Sequence, residues 1–413
     1  MTALPRAAYA GFAAFGCLWG VWGAMLPAVR EQAGLGHGQL GTALLFIGAG
    51  ALPAMLLTGP AVDRFGHRVT AVLQVALGCT GVIVALTGHG FVGLVTGLVA
   101  LGAVSGAADV ANNAAAASAE RASGRRPVIA RAHGVFSAGV VGASLVSGVL
   151  RGAGAAVAVP FLLAAAVGAA AGILTWAGAR TDDRVRAGVR PPAAGSPPRR
   201  FFGTLRPLPL LVVGGLAALA FAVENAHQSW SAEYLDDVLS AGPAVAAAGP
   251  AVFAAVVAVA RFAVAGLSAG HPLAVLIIGA AAAAAGTVVV AAAPTVAVAL
   301  TGVGLAAAGT AVLYPTLLAL AVLRVDESAK GTATSVVATI AYLGFLAGPV
   351  YVGYWAAVAG LPGAMVAVAA VAAGLALLTW PALRAVSAVR RRRAGSGRRA
   401  RTPPGRCAGS CRR

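Results

Sequence analysis

Apolar stretches of about twenty residues recur along the whole chain. As α-helices, each is long enough to cross roughly 30 Å of hydrocarbon. Twelve such runs start near residues 7, 39, 69, 91, 132, 155, 208, 243, 272, 295, 332 and 362. In lipid the backbone must satisfy its own hydrogen bonds, which leaves only helices or a closed barrel. Runs this long and this rich in Ala, Leu and Val are helices, so an all-α membrane protein with twelve transmembrane helices is expected. Composition agrees: 59% of the 413 residues are hydrophobic and only 10% are charged, against about 25% charged in a soluble domain. The 55 glycines suit helices that approach one another closely.

The first run, from about Tyr9 to Val29, is too long for the apolar part of a secretory signal and reads as a retained span. Lys and Arg mark cytoplasmic loops. With the N-terminus inside, all 30 Lys and Arg except Arg30 and Arg151 fall on the cytoplasmic side, with Arg261 counted in the loop between spans 8 and 9. The expectation is therefore a multi-pass protein of the cell membrane with both termini cytoplasmic. The Pro- and Arg-rich segment 178–206 reads as a linker between two six-helix halves, residues 1–177 and 207–383. A faint parallel between "SGAADVANN" and "AGTAVLYPT", about 200 residues apart, fits two related halves. Residues 384–413 read as a disordered basic tail lying against anionic lipid. The tail has no aromatic residue to stack on a base, so nucleic acid is not an expected partner. Cys407 and Cys411 have no further ligands nearby, and Cys17 and Cys79 sit inside apolar runs. No metal or other cofactor is expected.

One short stretch interrupts the apolar pattern. "GPAVDRFGHRV", residues 59–69, sets Asp63, Arg64, His67 and Arg68 between Gly59 and Gly66, two glycines that would permit a tight turn. The stretch resembles the signature loop of the major facilitator superfamily, roughly G-x-x-x-D-R-x-G-R-R. Gly59, Asp63, Arg64, Gly66 and Arg68 match, and His67 replaces a usual Arg. The match falls between the second and third of twelve spans, and the resemblance extends to about residue 383. "GAADVANNAAAASAE", "RAHGVFSAG", "ENAHQSWSAEYL" and "AYLGFLAGPVYVG" look like a bacterial branch that includes a membrane protein of rhizopine metabolism. The resemblance implies two pseudo-symmetric halves. It also implies that the Asp63 carboxylate meets the cytoplasmic N-terminus of span 11, near 331–334, to hold a gate shut, as a helix dipole favours. Against this stands the reading that Arg64 and Arg68 only set topology. The loop between spans 8 and 9 keeps Arg261 and Gly266 but has no Asp, so a second latch there is not expected.

Ionisable groups inside a span are costly and draw attention. On span 4, Asp109, Asn112 and Asn113 stand at i, i+3, i+4, with His133 and Ser137 facing them from span 5. Two readings stay open: a polar pocket, or a structural pairing of Asp109 with Arg131. On span 7, Glu224, His227, Gln228 and Ser231 form a stripe with Trp230 beside it, while Glu233, Asp236 and Asp237 read as solvated beyond the membrane. In the resembled fold spans 1, 4, 7 and 10 line a central cavity. That places Trp19, Trp22, Thr310, Tyr314 and Pro315 either in the cavity or at the membrane interface.

These readings converge on a secondary transporter of a small organic solute, proton-coupled through Glu224 or Asp109, monomeric, with the lipid bilayer as its surroundings. No phosphate-binding G-x-x-x-x-G-K-[ST] motif supports primary transport, and no nucleophile–base pair supports an enzyme. The alternatives are a non-transporting receptor on the same fold, or a drug or metabolite efflux antiporter. The Asn, Gln and carboxylate content suits an inositol-like polar solute, and an amphipathic metabolite is the other option.

Overall fold

The computed structural model describes residues 3–122, 127–186, 207–323, 325 and 330–399. Among these every regular element is helical. The first six are α1 (Ala3–Ala33), α2 (His37–Phe65), α3 (Arg68–Thr87), α4 (Gly90–Ala122), α5 (Val128–Gly152) and α6 (Ala158–Arg186). After residues 187–206, which lie outside the described set, come α7 (Pro207–Asp237), α8 (Gly242–Ala246), α9 (Ala248–Gly270), α10 (Pro272–Ala291), α11 (Val296–Thr310), α12 (Leu313–Val322) and α13 (Lys330–Arg399).

These thirteen helices make twelve crossings. The α8–α9 pair forms one span, and α11 and α12 together form another, Val296–Val322. The long α13 holds two, because Gly360 breaks it with φ 72° and ψ 171°. Only glycine adopts that backbone region without strain. The last crossing ends near Arg384, while the helix itself continues to Arg399, into the segment read as tail. Likewise α6 reaches Arg186, inside the segment read as linker.

Large apolar side chains such as Leu56, Ile83, Val92, Ile173, Ile278 and Leu377 are exposed on the outside of the bundle. A soluble protein could not carry so many, whereas lipid covers them. The chain is a multi-pass membrane protein. Within the first half α1 packs on α5 and α6, α2 on α4, and α3 on α6; in the second half α7 packs on α13 and α10 on α11.

The two ends of the bundle differ. We call the end that carries Arg6, the α2–α3 turn and Lys330 the basic end, and the opposite one the far end. At the far end the halves touch closely. Gly41 of α2 lies against α13: a Cβ added there would stand 2.6 Å from the Pro349 carbonyl oxygen and 2.8 Å from the Gly353 Cα. Gly148 of α5 meets α8, where an added Cβ would stand 2.9 Å from the Pro243 carbonyl oxygen. Polar side chains join the halves here too. The Arg30 guanidinium pairs with Glu233 and lies 3.5 Å from Asp237, and His37 Nε2 lies 3.4 Å from Glu233 and 3.7 Å from Asp237. Glu233 is fully buried. The expectation that it is solvated beyond the membrane is therefore wrong: the Arg30 guanidinium compensates its charge and lets the residue stay inside the seam. Arg30, which the charge count left as a stray, is half of that contact.

Candidate functional site

Between the halves lies a cavity of about 310 Å³, within the usual range for small-molecule sites. Its wall is built from α1, α2, α4 and α5 of the first half and α7, α9 and α13 of the second. The ionisable lining residues are Asp109, Glu224, Arg261 and Tyr342. Phe15, Trp19, Trp22, Phe136 and Phe345 contribute rings, and Asn225, Gln228 and Ser229 contribute polar groups.

The sequence put Arg261 in a loop with the other topology-setting arginines. The structure puts it in the cavity. It sits partway along α9, with Nη2 3.2 Å from Glu224 Oε1 and Nε 3.4 Å from the Ala311 carbonyl, at the break between α11 and α12. An arginine at this depth is tolerable because it has an acid and a freed backbone carbonyl for partners. Glu224 is 7% exposed, and its Oε1 also accepts a bond from Gln228 Nε2 at 3.2 Å. Ser229 donates to Asn225 at 2.9 Å.

On α4, Asp109 Oδ1 accepts a bond from Asn113 Nδ2 at 3.0 Å. Asp109 has no paired Lys or Arg among the described residues, so the expected alternative, a pairing with Arg131, is not what the structure holds.

The two stripes read from the sequence both split, and in the same way. A helix advances about 100° per residue, so i+4 returns to within about 40° of i and i+3 falls about 60° short on the other side. Asn113 and Gln228, at i+4, stay beside their carboxylates. Asn112 and His227, at i+3, turn out of the cavity. Asn112 is buried and accepts a 2.6 Å bond from Gln74 Nε2 on α3. His227 is buried, 2.8 Å from Thr287 Oγ1 on α10, with its ring stacked on Phe253 at 6.0 Å. Both are packing residues here.

Other candidates also move. His133 is exposed, edge-on to Phe12 at 5.0 Å, and is not part of the cavity wall, whereas Ser137 is. Ser231 is buried beside Gly249. Thr310, Tyr314 and Pro315 do not line the cavity. Tyr314 instead lies on the Phe221 ring at 4.4 Å, within the second half. The expected contribution of span 10 is replaced by α2, α5, α9 and α13. Sequence reasoning also missed Tyr342, Asn225 and Ser229; the last two each follow a member of the Glu224–Gln228 pair by one residue and widen its polar face around α7.

The charged stretch near residue 63 is not a loop. Asp63 and Arg64 occupy the last turn of α2, Gly59 lies inside that helix, and Arg68 opens α3. The turn itself is only Gly66–His67. Gly66 has φ 65° and ψ −156°, and its N–H bonds the Val62 carbonyl. That is again a glycine-only conformation, so Gly66 is required by the turn and Gly59 is not. Arg64 lies over the Phe65 ring at 5.2 Å and Arg68 over the Trp176 ring at 5.8 Å, both within the first half. Asp63 is exposed and makes no hydrogen bond or ion pair among the described residues. Of the helix end expected to meet it, the side chains of 331 and 332 lie outside the described set.

The model of the Major Facilitator Superfamily matches residues 7–349. The chain belongs to the major facilitator superfamily. Membrane protein MosC of Rhizobium meliloti is 27% identical over 366 residues, 86% of this chain and 84% of MosC. An uncharacterised MFS-type transporter of Yersinia pestis is 35% identical over 130 residues, 31% of this chain. That match spans about a third, 34%, of the Yersinia protein's length. The crystal structure of the D-xylose–proton symporter superposes with a TM-score of 0.70 at 14% identity, covering 92% of this chain and 97% of the symporter. At that identity the likeness speaks for the fold.

Proposed function

We propose that the protein is a secondary active transporter that moves a small organic solute across the cell membrane by alternating access, coupled to protons through the Glu224–Arg261 pair. The observation that carries this reading is the cavity itself. Both halves wall it, the far-end seam closes it on one side, and an ionisable pair stands in its wall. Membership of the superfamily and the fold of a proton symporter support it. The excess of Arg at the basic end favours a cytoplasmic position for it; in this reading the seam faces outside and the resting state accepts solute from within.

The pair suggests how coupling works. While Glu224 is ionised it holds Arg261. Proton binding at Glu224 releases the guanidinium to a solute or to solvent, and rocking of the halves changes which side supplies the proton. Asp109 is a second carboxylate in the wall of the same cavity. The test is transport in proteoliposomes under an imposed pH step. Glu224→Gln keeps size and hydrogen-bonding reach but cannot titrate. It should abolish pH-driven accumulation while leaving solute exchange in place. Accumulation by the Gln variant equal to that of the native protein would move the coupling role to Asp109. Absence of any solute flux in the native protein would favour a non-transporting receptor instead.

A further inference from the structure

We propose that the solute is a small amphipathic organic cation, held by the Asp109 carboxylate against the aromatic wall of the cavity. The inference rests on the transport reading for the site's purpose, but its evidence is the charge and surface of the cavity. The lining holds two carboxylates and one guanidinium. Arg261 is committed to Glu224. Asp109 has only the neutral Asn113 amide. A carboxylate inside the membrane needs a positive partner. A proton serves when the cavity is empty, and an ammonium group serves when it is filled.

The rest of the wall selects the kind of cation. Phe15, Trp19, Phe136, Tyr342 and Phe345 surround the same space. Aromatic faces attract cations and bury apolar carbon. A hard divalent ion such as Ca²⁺ or Mg²⁺ would need six or more oxygen ligands converging on one point, whereas the two lining carboxylates are engaged separately, Asp109 with Asn113 and Glu224 with Arg261 and Gln228. A polyol would need a partner for every hydroxyl, and the ring faces and apolar side chains that make up most of the wall offer none. An organic anion would meet an Arg261 already neutralised. A compact molecule with one ammonium and a hydrocarbon or aromatic body matches what remains, and a cavity of about 310 Å³ has room for it.

The test uses purified full-length protein and matched probe pairs: benzylammonium with benzyl alcohol, phenethylammonium with phenethyl alcohol, and 1-adamantylammonium with 1-adamantanol. Binding is read by calorimetry and by thermal shift. The amine of each pair should bind more tightly than its alcohol. Asp109→Asn should remove that preference, weakening amine binding on the order of tenfold, and Asp109→Glu should restore it. Should the Asn variant fail to fold, a second measurement decides. In a variant whose native cysteines are replaced and Ser137 is changed to Cys, amines should protect the cysteine from maleimide at concentrations where alcohols do not. Equal binding of amines and alcohols, binding of neither, or an undiminished preference in Asp109→Asn overturns the proposal. Flux measurements separate its failure from that of the transport reading: intact pH-driven transport with no amine preference rejects the cation alone, whereas amine binding without any flux rejects the transporter.

Discussion

The two ends of the bundle present opposite pictures. The far end is shut by features without a family signature: a Gly41–Gly353 contact, a glycine-to-backbone contact between α5 and α8, and a buried Arg30–Glu233 pair joined by His37 and Asp237. The basic end carries the family's signature residues, yet there Asp63 is exposed and the two arginines lie on rings of their own half. The difference teaches that a motif and a contact are separate things. Under the proposed transport cycle, the signature at residues 59–68 would act when the basic end closes, and in this structure its Asp63 makes no contact among the described residues. The seam that is closed here is made from glycines and charges whose meaning depends on residues some 100 to 300 positions away.

The largest effect is expected at the buried charge. Replacing Arg30 by Ala strands the Glu233 carboxylate, which is 0% exposed. Breaking one partner of such a pair costs about 3–5 kcal/mol. That loss should fall on the closed far end and open it. In a cysteine-free background with Ala254, a cavity-lining residue, changed to Cys, an impermeant maleimide added from the far side should react more than tenfold faster. If labelling is unchanged, the charge cluster is not what keeps the far end shut. The next effect is steric. Gly41→Val places methyl groups where the Pro349 carbonyl and Gly353 already stand. Overpacking of this kind costs about 1–3 kcal/mol. It should raise far-side labelling by a smaller factor than Arg30→Ala, and Gly353→Val should mimic it from the other half. A Gly41 variant that labels like the native protein would mean the α2–α13 contact is incidental.

How much of this the sequence could tell follows from the same residues. Twelve spans were legible because each apolar run is a local property, and even the break at Gly360 falls where the eleventh run gives way to the twelfth. The two cavity carboxylates were legible because charge in a span is rare. Their neighbours were not: spacing alone cannot decide whether i+3 or i+4 shares the carboxylate's direction when the cavity edge falls between them. That is why Asn112 and His227 were grouped with Asp109 and Glu224 but pack against Gln74 and Thr287. Arg261 was misread for a different reason. A lone arginine near the end of an apolar run reads as a loop residue until the acid on another helix is known to be 3.2 Å away. Glu233 was misread as solvated for the same cause, since its partner lies on α1.

Asp63 gives the smallest expected effect on this state and the sharpest separation of the two ends. Its side chain is exposed and bonds to nothing described, so Asp63→Ala should change the stability of the far-end-closed protein by no more than about 0.5 kcal/mol, leaving its melting temperature almost unchanged. Far-side labelling at Ala254→Cys should also stay as it is. If the carboxylate acts when the basic end closes, by meeting the N-terminus of α13 and its partial positive charge, the change removes stabilisation from that other state only. Transport should then slow while solute binding from the basic side is preserved. Labelling from the basic side should rise, because the protein spends less time with that end shut. Asp63→Asn should fall between the two, since an amide oxygen still accepts hydrogen bonds from free N–H groups but without the charge. A lowered melting temperature in Asp63→Ala would show that the residue already holds the present state together. Normal flux with normal labelling at both ends would reduce the stretch to a positively charged topology signal, and the contrast between a motif end and a contact end would lose its mechanical meaning.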